Sequence, residues 1–115
     1  MIVPFHFGNP QRQLFGIRHD AATPRDQVLA CAPLLQEAMR THRALWALAE
    51  ALAVQGVSTL RFDWYGSGDS GGRGADLAFD GMLEDLDAAT GQCEAPPRLL
   101  ALRTASLPVL AHATA

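Results

Sequence analysis

The chain has 115 residues, 49% of them hydrophobic and 18% charged, which is the length of one domain and the composition of a packed core. Its net charge is −3 and all nine basic residues are arginine, so it carries no basic stripe for a nucleic-acid backbone and no nucleic-acid partner is expected. No run approaches the roughly 18 consecutive apolar residues that span a bilayer, and the first residues lack a charged segment followed by an apolar one, so the expectation is a soluble, unprocessed chain.

Residues 2–7 read as a short strand. After the turn-forming Gly8-Asn9-Pro10, residues 13–19 read as its antiparallel hairpin partner. Residues 27–32, Gln-Val-Leu-Ala-Cys-Ala, are an apolar run of the kind buried on both faces of a sheet, and Pro33 ends it. From Thr41, a candidate N-cap, Leu45, Leu48, Ala49, Leu52 and Ala53 recur at three- and four-residue steps, the stripe of a helix packed on one side, with Gly56 as its stop. Residues 57–62 form the next strand, and strand-helix-strand at this length implies a parallel pair with a right-handed crossover. A glycine-rich loop follows over residues 66–74. A second amphipathic helix then runs from near Asp76 to near Gly91, outlined by Phe79, Met82, Leu83 and Leu86. Pro96-Pro97 breaks the chain, residues 98–102 make a third parallel strand, and a last helix starts around Ala105. The expected fold class is α/β over a single domain, 1–115: a mainly parallel sheet with an N-terminal antiparallel hairpin and helices on its faces.

Cys31 and Cys93 match neither a zinc spacing nor a disulfide framework, which favours a reduced, cytoplasmic setting. Gly66-Ser67-Gly68-Asp69-Ser70-Gly71 satisfies the letters G-x-G-x-x-G, with Asp85 and Asp87 at the distance of a ribose contact. That fingerprint needs the first glycine to end the strand and a helix to open within the motif. Here Asp63-Trp64-Tyr65 intervene and Gly71-Gly72-Arg73-Gly74 prolong the loop, so no nucleotide or other cofactor is expected. Asp80, Glu84 and Asp87 share one helix face, either a cation site or, preferably, a solvated acidic face. His6, His19, His42 and His112 are scattered, and no metal is assigned.

Pro33-Leu34-Leu35-Gln36-Glu37, the helical stretch over 40–53, and Leu60-Arg61-Phe62-Asp63-Trp64-Tyr65-Gly66-Ser67-Gly68-Asp69-Ser70 together resemble the N-terminal half of α/β-hydrolases. Among these, the likeness is to bacterial serine-aminopeptidase-like members, including those associated with exosortase systems. It runs from about Phe5 to the end of the chain, and the helix followed by L-R-F-D-x-x-G-x-G-D-S is its most specific part. The resemblance implies a truncated α/β-hydrolase fold. It also implies an oxyanion-hole amide at Leu34, where Ala32-Pro33 stands in place of the His-Gly of many relatives; the other reading is a strand-ending turn with buried leucines. Asp63, Gly66 and Gly68 correspond to a loop near the substrate mouth, with Asp63 holding loop amides rather than acting in catalysis. Ser67 and Ser70 lie in that loop and not on an elbow.

A catalytic relative carries G-x-S-x-G after the strand from Arg98. This chain reads Ala101-Leu102-Arg103-Thr104-Ala105, similar to a related group with G-L-R-L-G, and Arg103 occupies the nucleophile slot. Ser106 comes three residues late, and His112 lies too close to serve as the triad histidine. The resemblance implies a hydrolase or acyltransferase for an ester, thioester or amide with a small acyl substrate, incomplete or inactive as this chain alone. The alternative is a non-catalytic binding or assembly module that pairs through its open sheet edge with itself or a complementing chain. Arg103 then holds an anionic group or, more simply, a salt bridge to Asp63 or another neighbour. A third reading is a gene fragment without an independent role, which would aggregate.

Overall fold

The computed structural model of the chain describes residues 1–34 and 36–114, with Gln36 described for its backbone alone; Leu35, inside a segment that carries the resemblance, lies outside the described residues. Five strands form one mixed sheet: β1 (Ile2–Asn9), β2 (Arg12–His19), β3 (Asp26–Cys31), β4 (Val57–Asp63) and β5 (Arg98–Ala101), in the order β1-β2-β4-β3-β5. β1 and β2 are an antiparallel hairpin and β2 meets β4 antiparallel. β3 runs parallel to β4 on one side and to β5 on the other. This is the α/β plan expected from the strand patterns, with β3 at the centre of its parallel part.

Three helices, α1 (Gln36–Val54), α2 (Phe79–Thr90) and α3 (Ser106–Thr114), cover the two faces. α1 packs on β4 and β2, whereas α2 and α3 pack on each other and reach β1 and β5. Because successive strand residues point to opposite faces, Leu60 and Phe62 of β4 enter the apolar core with Leu14, Leu29, Met82 and Leu86, while Thr59, Arg61 and Asp63 fall on the other side. Trp64 extends that core just past β4 and donates its indole N–H to the Ala32 carbonyl at 2.8 Å.

Two expected helix starts are corrected. α1 begins at Gln36, so Thr41 is one turn inside it rather than an N-cap, and its hydroxyl donates back to the Glu37 carbonyl at 2.9 Å. Gln36-Glu37-Ala38-Met39-Arg40 are good helix formers, and an interior threonine satisfies its hydroxyl in this way. α2 begins at Phe79 and not near Asp76, because Gly74–Asp76 forms a separate 3-10 turn in which the Asp76 carboxylate accepts the Arg73 N–H at 2.7 Å. Gly56, at φ +85°, ends α1 as expected, since that left-handed conformation suits glycine. The last helix follows a 3-10 turn over Arg103–Ala105 and starts at Ser106.

A single carboxylate locks three of these elements. Asp85 of α2 is 1% exposed; one oxygen accepts Arg12 Nε of β2 at 2.8 Å and the other accepts the Tyr65 N–H beyond β4 at 3.0 Å. The Arg12 guanidinium also lies over the Tyr65 ring, 4.4 Å from its centre. The ribose-contact role considered for Asp85 therefore fails, because this side chain is inside the fold with both oxygens engaged. Burial pushes its carboxyl pKa up, against the pull of the Tyr65 amide and Arg12. Asp85→Ala is expected to lower the unfolding free energy by about 2–3 kcal/mol, through two lost hydrogen bonds of which one is charge-assisted. Glu84→Ala, whose carboxylate is exposed and 3.8 Å from Arg12, should cost no more than about 0.5 kcal/mol. Urea unfolding of both variants checks this, and equal effects would remove the special role of Asp85.

The sheet face under α1 is polar. His19, Thr59 and Arg61 are all buried there, and Arg61 Nε donates to His19 Nε2 at 3.0 Å. Trp46 of α1 meets the His19 ring edge-on at 4.9 Å and carries the Arg61 guanidinium over its face at 5.1 Å. Burial first, and Arg61 second, lower the His19 pKa below its ordinary 6.5, outweighing Glu50. The fold thus favours neutral imidazole, and the unfolded chain binds the extra proton as pH falls. The stabilisation is full above about pH 6.5 and is lost as pH drops toward the folded pKa. Unfolding free energy should therefore fall between pH 7.5 and 5.5 more steeply in the natural chain than in His19→Gln, as read from denaturant curves across about that range.

Candidate functional site: the elbow and the β4 loop

β5 leads into α3 through a strained turn. Leu102 is extended and donates its N–H to the Cys31 carbonyl at 3.3 Å, Arg103 takes φ +50°, and the Ala105 N–H returns to the Leu102 carbonyl at 3.0 Å. Arg103 is the only non-glycine residue with positive φ among the described residues. Such a conformation costs about 1–2 kcal/mol for a residue with a Cβ. The turn from strand to helix is sharp, and it presents a guanidinium. The Arg103 side chain is exposed, and its Nε lies 3.5 Å from Glu37 Oε2 in the first turn of α1. Its ionic partner is accordingly Glu37 and not Asp63.

Leu34 meets this turn from the end of β3. Its N–H donates to Thr104 Oγ1 at 3.0 Å, so the amide that would face a developing oxyanion is capped by a hydroxyl of the turn itself. Leu34 and Thr104 line an apolar cleft of about 300 Å³ with Leu77, Phe79, Met82 and Leu107. Ser106 is the first residue of α3 and exposed. His112 lies at the far end of that helix, its Nε2 3.0 Å from Asp87 Oδ1. Asp87 is thus taken up by this contact, and no cluster of metal-ligating side chains exists among the described residues.

Asp63, Gly66 and Gly68 fall elsewhere, in a larger cleft of about 480 Å³ between α1, β2 and the β4 loop. The structure therefore divides the four residues singled out for binding into two places, with Arg103 apart from the other three. Asp63 Oδ2 accepts the Asp69 N–H at 3.0 Å, the use of aspartate expected for this turn. Burial raises the Asp63 pKa, against the pull of the Asp69 amide. Ser70 is structural: its hydroxyl accepts the Phe15 N–H at 2.8 Å and donates to the Asp63 carbonyl. The loop amides of Gly66, Ser67, Ser70 and Gly71 all bond to backbone carbonyls, and α2 opens only at Phe79. With those donors spent and no helix opening within the motif, the loop lacks the helix N-terminus that a dinucleotide fingerprint uses. Cys31 and Cys93 are free thiols, and burial pushes Cys31 up to about 12.

No protein-family model matches the sequence, and no curated protein matches it. Solved structures do match. The thioesterase domain from the curacin biosynthetic pathway superposes with a TM-score of 0.80 at 18% identity, over 99% of this chain and 40% of that one. A lidless α/β serine hydrolase from Xanthomonas campestris gives 0.76 at 22%, over 98% and 56%. Alpha/beta hydrolase domain-containing protein 10 from mouse gives 0.75 at 19%, over 96% and 44%. The chain thus has the α/β-hydrolase fold and spans 40–56% of the length of these three structures.

Gly68 has φ +51°, and a Cβ there would collide with the Asp63 carboxylate. Gly68→Ala should therefore cost about 2–3 kcal/mol, whereas Gly74→Ala, with nothing near its added Cβ and no positive φ, should stay within about 0.5 kcal/mol. Thermal unfolding of the pair decides it, and a neutral Gly68→Ala would show that the Asp63 turn tolerates a side chain.

Proposed function

We propose that this chain forms the N-terminal half of an α/β-hydrolase-like unit that handles acyl compounds, an ester, thioester or amide, and that its own residues perform no acyl-enzyme step. The observation that carries this is Arg103 at φ +50° on the turn between β5 and α3. A guanidinium stays protonated at neutral pH and cannot attack a carbonyl. Of the other candidates, Ser106 lies on the helix, Ser70 is engaged twice, Ser67 lies in the β4 loop at the other cleft, and His112 sits with Asp87 at the opposite end of α3. The apolar cleft beside Leu34 and Thr104 suits an acyl chain, and the exposed Arg103 suits an anionic group on the same ligand. The bacterial exosortase-associated branch, a single domain over 1–115 and a cytoplasmic setting belong to this proposal; among the described residues no helix is long and apolar enough to cross a membrane.

A second reading, an assembly module completed by another copy or a complementing chain, is favoured by the sheet edge. β5 is the outermost strand on its side and only four residues long, and Leu107 and Leu110 of the adjoining α3 are 70% and 63% exposed.

The purified chain is expected to release no nitrophenol from nitrophenyl esters above the buffer rate. Turnover that disappears in Ser106→Ala would overturn the non-catalytic reading. Light scattering on the same sample tests the second one, for which a stable monomer would be the adverse result.

A further inference from the structure

The larger cleft is independent of the elbow, since neither Arg103, Leu34 nor Thr104 lines it. Its volume of about 480 Å³ falls within the roughly 300–1,000 Å³ of small-molecule sites. Phe15 and Ile17 of β2 with Arg61 and Asp63 of β4 make its floor, and Met39 and Leu45 of α1 its wall. The strand pleat puts Arg61 and Asp63 on one face, two residues apart, so their Cα atoms are separated by about 6.6 Å.

Those two side chains are opposite in charge and incompletely satisfied. Arg61 is 8% exposed, held by His19 at Nε and by the face of Trp46, and its Nη2 is buried with no hydrogen-bond partner among the described residues. Asp63 spends Oδ2 on the Asp69 amide, while Oδ1 makes no hydrogen bond among the described residues. Asp69 and His42 also border the cleft. A buried cation without a full set of acceptors is costly, and so is a partly buried carboxylate without donors. A simple anion would meet Asp63 and Asp69, and a simple cation would leave Arg61 uncompensated.

We propose that this cleft binds a free α-amino acid with an apolar side chain, its carboxylate on the Arg61 guanidinium, its ammonium on Asp63, and its side chain against Ile17, Met39 and Leu45. Arg61 and Asp63 line one cleft and form no ion pair with each other among the described residues, so a ligand carrying both charges can meet both. Selectivity follows from the same geometry, because an analogue lacking either charge leaves one polar group of the site unpaired.

Calorimetric titration of the whole chain at neutral pH with L-phenylalanine, 3-phenylpropanoate and phenethylamine tests this. Phenylalanine is expected to bind at least about tenfold more tightly than either half-ligand. Asp63→Asn keeps the shape and an acceptor for the Asp69 amide, and should weaken phenylalanine by about tenfold while leaving 3-phenylpropanoate unchanged. Met39 is 82% exposed, so Met39→Trp should leave the melting curve intact and weaken phenylalanine by narrowing the mouth, which keeps the test open if Asp63→Asn does not fold. Absence of saturable phenylalanine binding, or equal affinity for the three probes, overturns the proposal.

Discussion

The buried Asp85 carboxylate is the tie on which the upper rim of this sheet depends. It reaches from α2 to the β1–β2 hairpin through Arg12 and to the chain leaving β4 through the Tyr65 amide. Gly81, one helical turn earlier, leaves the space that the Arg12 guanidinium occupies; a Cβ there would collide with it. Once Tyr65 is held, the loop after it has a fixed start, and the Ser70 hydroxyl can bridge Phe15 of β2 to the Asp63 carbonyl. An ion pair of this kind contributes modestly to net stability after desolvation. Its loss from one side is costly, so it serves to specify one arrangement.

The two faces of the sheet divide the chemistry. On the α2–α3 side, β4 contributes Leu60, Phe62 and, just beyond it, Trp64 to a conventional apolar core. On the α1 side the same strand contributes Thr59, Arg61 and Asp63, joined by His19 from β2. Packing α1 over such a surface works because Trp46 covers both His19 and the Arg61 guanidinium with a large aromatic face. Toward the carboxyl end of β4, beyond the reach of Trp46, the larger cleft opens.

At the other carboxyl tip, the turn at Arg103 holds a backbone conformation that costs energy for a residue with a Cβ. The surrounding contacts hold it in place: Leu102 bonds to Cys31 across the parallel ladder, Ala105 closes the turn, and Thr104 caps Leu34. Strain at a site persists where the scaffold over-determines it.

Strand positions, the hairpin, the glycine-rich loop and the end of α1 at Gly56 were all determined by the sequence itself, because each is written in local periodicity or in a turn residue; the strand-to-helix turn at Arg103 was expected only from the resemblance. The helix starts were not so determined, since Thr41 and Asp76 are cap-like residues that a neighbouring helix former or a 3-10 turn can displace. Nor was the status of Asp85, which the spacing of the glycine motif offers only as a ribose contact. Only the tertiary structure decided that it is buried beneath Arg12 and Tyr65, that Arg103 pairs with Glu37, and that Asp63 opens into a cleft with Arg61. A polar side chain's role depends on which distant residues the chain brings to it, and spacing along the sequence carries no record of those encounters.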